Sequence, residues 1–447
     1  MRKNTIDMVN GPLIKNTLIF AIPIMLANLL QIAFNAADTI VIGKFSGQIA
    51  LAAVGAAGPV VNLMVSLFNG LAIGVNIVIA RLIGSKNRDK ISKSVHTSYF
   101  LALAGGLILT IVGLFGSSFF LSMMGTPSDI LDQSMLYMRI YFLGSIPLLI
   151  YDVGAAILRS KGDTTRPTIY LAISGVLNVI LNLTFVIGFK LAVAGVAIAT
   201  VISQCVSAIL VTKDLLQEKD EMKLIPHHIA MDQDLFILMM KIGIPAGLQS
   251  MMWSISNVAV QSAINTFGSV AIAGNSAAAN IEGFVYIGMG AFAQSCITFT
   301  SQCAGANEKQ KIKKVMWVNM ALIVVSCFVV GAILCGFGSF FLSLYTNDPE
   351  VIQMGMIRML YVVFFLWLNG VLDIPASSLR GMGYSSTPTI AMLLGIVGFR
   401  LAYIATIWEM FPTLEVLYLC FPLSWTITSI IMLGLWLVIY KRYCEVN

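Results

Sequence analysis

Charge is scarce in this sequence. Asp, Glu, Lys and Arg make up 11% of the 447 residues, against about 25% in soluble domains. Hydrophobic residues make up 58%. That balance excludes a disordered, collagenous or coiled-coil chain and a soluble nucleic-acid binder. The seven cysteines are an odd number with no C-x-x-C pair, which excludes a disulfide scaffold. Most lie in apolar runs and read as small buried hydrophobes. The three histidines, His96, His227 and His228, lie in or beside polar stretches and suggest no metal site. H-E-x-x-H, G-x-S-x-G and the P-loop pattern are missing, which argues against a polytopic enzyme and against ATP hydrolysis on this chain. The polar start, MRKNTIDMVNGPLIKNT, has no short apolar region with a small-residue cleavage site, so no removable signal peptide is expected.

Long apolar runs are what the chain does have. Charges and turn residues mark off twelve of them, at about 15–42, 50–80, 95–117, 133–157, 167–188, 191–213, 235–265, 270–301, 315–338, 352–378, 388–409 and 415–440. Each is long enough to cross a bilayer as a helix, and several are long enough to tilt or bend. Barrel strands would be short and alternating, so the expected fold is an all-α polytopic membrane protein. Of the 27 Lys and Arg residues, 22 fall on one side if the N-terminus is inside. Only Lys44 and Lys190 fall outside, and Arg139, Arg358 and Arg400 lie within spans. This bias predicts cytoplasmic termini and assigns the formal charge of +6 to a membrane surface rather than to nucleic acid.

The chain repeats itself at an offset near 221. IPIMLANLLQIAFN (22–35) aligns with IPAGLQSMMWSISN (244–257), and LRSKGDTTRPTI (158–169) with LRGMGYSSTPTI (379–390). RLIGSKN (81–87) and QCAGANE (302–308) each open a basic loop. Six spans per repeat is an even number, which predicts two six-helix lobes related by a pseudo-two-fold along the membrane normal. The expected organisation is a cytoplasmic segment 1–14, a first lobe 15–213, a polar cytoplasmic linker 214–234, a second lobe 235–440 and a tail 441–447.

Charged residues inside spans are expensive and mark function or pairing. At ~1.5 Å of rise per residue, Asp38 lies toward the outer side, as do Asn178 and Asn182 on one face of the fifth span. Thr200 on the sixth span and Tyr137 on the fourth fall in the same layer. Asp152 and Asp373 are repeat mates, each seven residues before an arginine, Arg159 or Arg380. Those pairs read as salt-bridged caps or gates near the inner face, and Arg139 and Arg358 as snorkelling outer-end residues.

Three segments carry a family resemblance: NAADTIVIGKFSGQIALAAVG (35–55), RSKGDTTRPTIYLAISGVLNVILNLTFVIG (159–188) and LAVAGVAIATVISQ (191–204). With the repeat, they resemble the multidrug and toxic compound extrusion (MATE) family. The resemblance implies a V-shaped secondary antiporter that exports cationic or amphipathic compounds in exchange for H⁺ or Na⁺. It also implies an ion-coupling site at Asp38, Asn178, Asn182, Thr200 and Tyr137. Many relatives carry Asp where this chain has Asn182. With one carboxylate rather than two, a Na⁺ site loses a charged ligand, and the reading favours protons.

In the second lobe Asp38 maps to Val260, so the coupling ion is expected in the first lobe. Gln31, Glu282 and Arg400 are candidates for the substrate cavity or for polar groups of the second lobe. Glu282 and Arg400 either neutralise each other or leave Glu282 facing the cavity. No cofactor is expected beyond the coupling ion. The expected partners are small cationic or amphipathic substrates and the bilayer of the cell membrane, with the protein a monomer. The competing readings are a lipid-linked-sugar flippase, another twelve-span carrier such as a major facilitator, and a channel.

Overall fold

In the computed structural model, which describes residues 6–446, the chain is helical almost throughout, with no strand among the described residues. Residues 1–5 and 447 of the two terminal segments lie outside that description. In hydrocarbon no water satisfies backbone groups, so a continuous helix is the solution each apolar run adopts. The helices are α1 (Leu13–Phe45), α2 (Gly47–Gly84), α3 (Arg88–Met123), α4 (Ser128–Leu143 continued by Ser145–Ser160), α5 (Thr165–Gly188) and α6 (Ala192–Gln217). After the linker come α7 (Gln233–Asn265), α8 (Ser269–Gly305), α9 (Lys309–Gly336), α10 (Pro349–Gly381), α11 (Ser386–Trp408) and α12 (Leu414–Glu445). Ten of these have the length and hydropathy of a membrane span, and α4 makes an eleventh if its two halves count as one. The remaining helix, α8, is 37 residues long but is diluted by Gly, Ser and Asn.

The fourth span, expected at 133–157, is made of two helices. It bends by 48° at Gly144. The reason is Pro147, which has no N–H to donate to the carbonyl of Leu143. The ladder resumes when Leu148 donates to Gly144 at 3.0 Å. Widened π turns at Thr184–Gly188 in α5, Met359–Val363 in α10, and Leu393–Gly398 and Ile404–Trp408 in α11 are also not legible in the sequence. Such turns frequently accompany functional sites.

The repeat is visible in backbone geometry. Gly47 and Gly268 have φ of +84° and +86°, Lys86 and Asn307 +55° and +57°, and Gly162 and Gly383 +95° and +96°. Each pair is 221 residues apart. The left-handed region is open to glycine and strained for most other residues, so the helix-ending turns use it at matching places.

The chain divides into two compact units. Of the described residues, unit one comprises Ile6 and Leu26–Gly247, and unit two comprises Asp7–Met25 and the chain from Leu248. In unit one, Gly70 and Gly74 of α2 let the backbone of α7 approach at Gly243 and Gly247, where any Cβ would collide. The linker is held by ions rather than simply solvated. Arg166 pairs with Asp214 at 2.6 Å and Glu218 at 2.9 Å, and Lys161 pairs with Glu218 and Asp220.

Candidate functional site

Four of the residues expected at the ion site come together in unit one. The side chain of Asn182 is wholly buried, and its Nδ2 donates to Asp38 Oδ1 and to Asn178 Oδ1, the latter at 3.2 Å. Asn178 Nδ2 reaches Thr200 Oγ1 at 3.5 Å, and that hydroxyl donates to the Val196 carbonyl at 2.9 Å. A chain of polar groups therefore runs from α1 through α5 to α6. Asn182 Oδ1 is buried and has no hydrogen-bond partner among the described residues.

Packing sets the register of this chain. Phe34 lies against Gly175, and a methyl group at 175 would overlap the ring. Asp38 is one turn beyond Phe34, and Asn178 and Asn182 are one and two turns beyond Gly175. The ring-on-glycine seat thus brings the carboxylate level with the amides. Tyr137 packs against the cluster that holds Val41 and Ile42, the next turn of α1. Among the described residues it makes no hydrogen bond to Asp38, so it borders the polar chain rather than belonging to it. Gln31 and Asn35 are exposed on the face of α1 that leads to Asp38.

Unit two has a different buried network. Glu282 Oε2 accepts from Arg358 Nε at 3.1 Å and Nη2 at 2.6 Å. Arg358 Nη1 donates to Asn275 Oδ1 at 2.7 Å, and Tyr418 donates to the same oxygen at 3.1 Å. Arg400 donates to Ser424 at 3.1 Å and Ser256 at 3.3 Å. Its guanidinium lies 4.2 Å from the centre of the Phe421 ring, with Trp253 and Trp425 each at 5.8 Å.

The MatE family model matches residues 23–184 and again 245–405. The chain belongs to the MatE family. The two matches fall one in each repeat, so the internal duplication is the family's own unit. The chain is 26% identical over 433 residues to the probable multidrug resistance protein YoeA of Bacillus subtilis, spanning 95% of this chain and 93% of that one. It is also 26% identical over 368 residues to the probable multidrug resistance protein YpnP of the same organism, spanning 82% of each. In fold it is similar to the crystal structure of MATE in the straight conformation, with a TM-score of 0.92, 20% identity and 99% of both chains covered. As a MatE member it is a multi-pass membrane transporter and not an enzyme.

Within this MatE fold, three sequence expectations are corrected. Glu282 neither pairs with Arg400 nor stands open. It is 5% exposed and is neutralised by Arg358. Arg358 does not snorkel, because its fork turns inward between α8 and α10, where a carboxylate and an amide satisfy it. Arg400 instead is held by hydroxyls and aromatic faces, a cation–π arrangement. Asp152 and Asp373 make no ion pair with Arg159 or Arg380 among the described residues. Arg380 donates to Gln249 instead, and Arg159 is half-buried with Nε unpartnered.

Sequence reasoning missed Asn275, Tyr418 and the Phe34–Gly175 seat. Asn275 and Glu282 are seven residues apart on one face of α8, a spacing that could have flagged the first of these. A glycine that receives a ring has no signature in one sequence.

Proposed function

We propose that this MatE transporter is a secondary antiporter that exports cationic or amphipathic compounds in exchange for protons taken up at Asp38. The observation that carries the reading is the hydrogen bond from Asn182 Nδ2 to Asp38, beside an Asn182 Oδ1 that has no partner. An amide offers both a donor and an acceptor. Its N–H matches the carboxylate, and turning the amide over about Cβ–Cγ would present its oxygen to the protonated acid. One residue can therefore serve both protonation states. A Na⁺ ion would require the opposite arrangement, with oxygens rather than an N–H directed at the carboxylate. Nδ2 directed at both Asp38 and Asn178 supports a proton rather than a metal ion at this carboxylate.

The exchange follows from competition between two states. Protonation removes the charge of Asp38 and changes how α1 seats against α5. Substrate favours the other seating, so each ligand drives release of the other. Pro23 lies within α1 and offers a place for the helix to bend between the two states. The face of α1 that runs from the exposed Gln31 and Asn35 to Asp38 supplies the polar contacts for a cationic substrate. The lobes are 15–213 and 235–440, the linker 214–234 and both termini are cytoplasmic, and the protein works as a monomer in the cell membrane. The test is efflux of a cationic dye from vesicles under separately imposed gradients. Efflux that follows the proton gradient supports the reading. Efflux driven by sodium at clamped pH, with the proton gradient collapsed, rejects it.

A further inference from the structure

In unit two, α1, α9 and α12 border a groove of about 1320 Å³. That is larger than the roughly 300–1,000 Å³ of ordinary small-molecule pockets. Its lining has a polarity order. At the start of α1, Lys15 lines it beside the apolar Leu13 and Ile14, followed by Leu18, Ile19 and Ile22. Along α9, Gln310, Lys313, Lys314, Trp317 and Val318 line it at i, i+3, i+4, i+7 and i+8. The α9 stripe follows a single helix face. Each helix carries lysine near its N-terminal end and is apolar one turn further in.

The charge at the mouth is uncompensated. The lining contains no carboxylate. Among the described residues, Lys15, Lys313 and Lys314 make no ion pair, and all three are exposed. The apolar part is equally unpartnered, with Ile22 58% and Trp317 47% exposed. Tyr440 closes the third side, its hydroxyl committed to the Lys309 carbonyl at 3.1 Å.

We propose that this groove binds an anionic phospholipid, with the phosphate among Lys15, Lys313 and Lys314 and the acyl chains along Leu18, Ile19, Ile22 and Trp317. A basic pocket between membrane helices recognises an acidic headgroup, and an aromatic ring at the headgroup level suits Trp317 and Tyr440. Cationic compounds are repelled at the same mouth, so this is not a second substrate site. The proposal does not depend on which ion or drug the transporter uses.

Native mass spectrometry of the whole protein tests this, with phosphatidylglycerol and phosphatidylcholine of identical chains titrated in turn. Phosphatidylglycerol adducts should appear at a concentration about tenfold lower. Substituting Lys15→Gln, Lys313→Gln and Lys314→Gln together should abolish that preference. A control triple, Lys86→Gln, Lys90→Gln and Lys93→Gln, should retain it. Soluble glycerophosphate in excess should not displace the lipid, because it lacks the chains. Equal binding of the two lipids by the wild type overturns the proposal by itself, whether or not the triple variant folds. So does a folded triple variant with an unchanged preference, or displacement by glycerophosphate.

Discussion

Phe34 rests on Gly175, and the contact leaves no room for a side chain at that position. One turn further along each helix, Asp38 meets the amides of α5. The seat and the polar chain are one unit, since α1 cannot shift against α5 without moving the carboxylate away from Asn182. Gly175→Ala should therefore lower dye efflux at least about tenfold, because overpacking of a tight contact costs roughly 1–3 kcal/mol. Gly188→Ala, where nothing lies within 4 Å of the new methyl, should leave it unchanged. Equal rates in the two variants would remove the Phe34 seat from the account.

Asp38→Asn should abolish gradient-driven efflux while folded protein still accumulates in the membrane. The amide keeps the shape and a hydrogen bond to Asn182 but cannot cycle a proton. Substrate binding, measured by fluorescence polarisation of the dye, should survive. Efflux at the wild-type rate would show that the coupling group lies elsewhere.

Asn182→Asp replaces the bridging N–H with a second carboxylate facing Asp38. Two adjacent carboxylates resist joint ionisation and attract a cation to share. The variant should depend on sodium more than the wild type does, read as faster efflux under an imposed sodium gradient at fixed pH. A variant indifferent to sodium would show that the identity of residue 182 does not select the ion.

The Glu282–Arg358 pair is buried and hydrogen-bonded, so loss of one partner strands the other in the membrane interior. Glu282→Gln or Arg358→Gln alone should each destabilise by about 3–5 kcal/mol. The double variant should be less destabilised than the sum, read from thermal unfolding in detergent. The same cycle between Glu282 and Arg400 should show weaker coupling, because no direct bond joins them. Equal coupling to both arginines would contradict the pairing described.

Gln217 ends α6 and is exposed. A cysteine at Gln217→Cys should resist an impermeant thiol reagent applied outside intact cells and react in inside-out vesicles. Labelling from outside would invert the proposed topology.

Helices, order and repeat were legible in the sequence because each depends on local or additive properties. A run of apolar residues has one viable backbone solution in hydrocarbon, and the repeat appears as matched left-handed turns, Gly162 with Gly383 among them. The spacing of Asn178 and Asn182 on one helix face could be counted, and Asp38 and Thr200 could be brought to their level by helical rise alone. Which long side chain turns toward which partner could not be counted. Arg358 looked like an outer-end residue by its depth, yet its guanidinium is folded inward onto Glu282 and Asn275. Depth along a helix is set by residue number, whereas rotation about the helix and reach across to a neighbour are set by packing. For the same reason Asp152 and Arg159, though on one helix face, form no salt bridge among the described residues. The composition was enough to place this chain in a membrane. Only the tertiary structure decided which of its few charges are paired, as Glu282 is with Arg358, and which, like Lys15, Lys313 and Lys314, make no ion pair among the described residues.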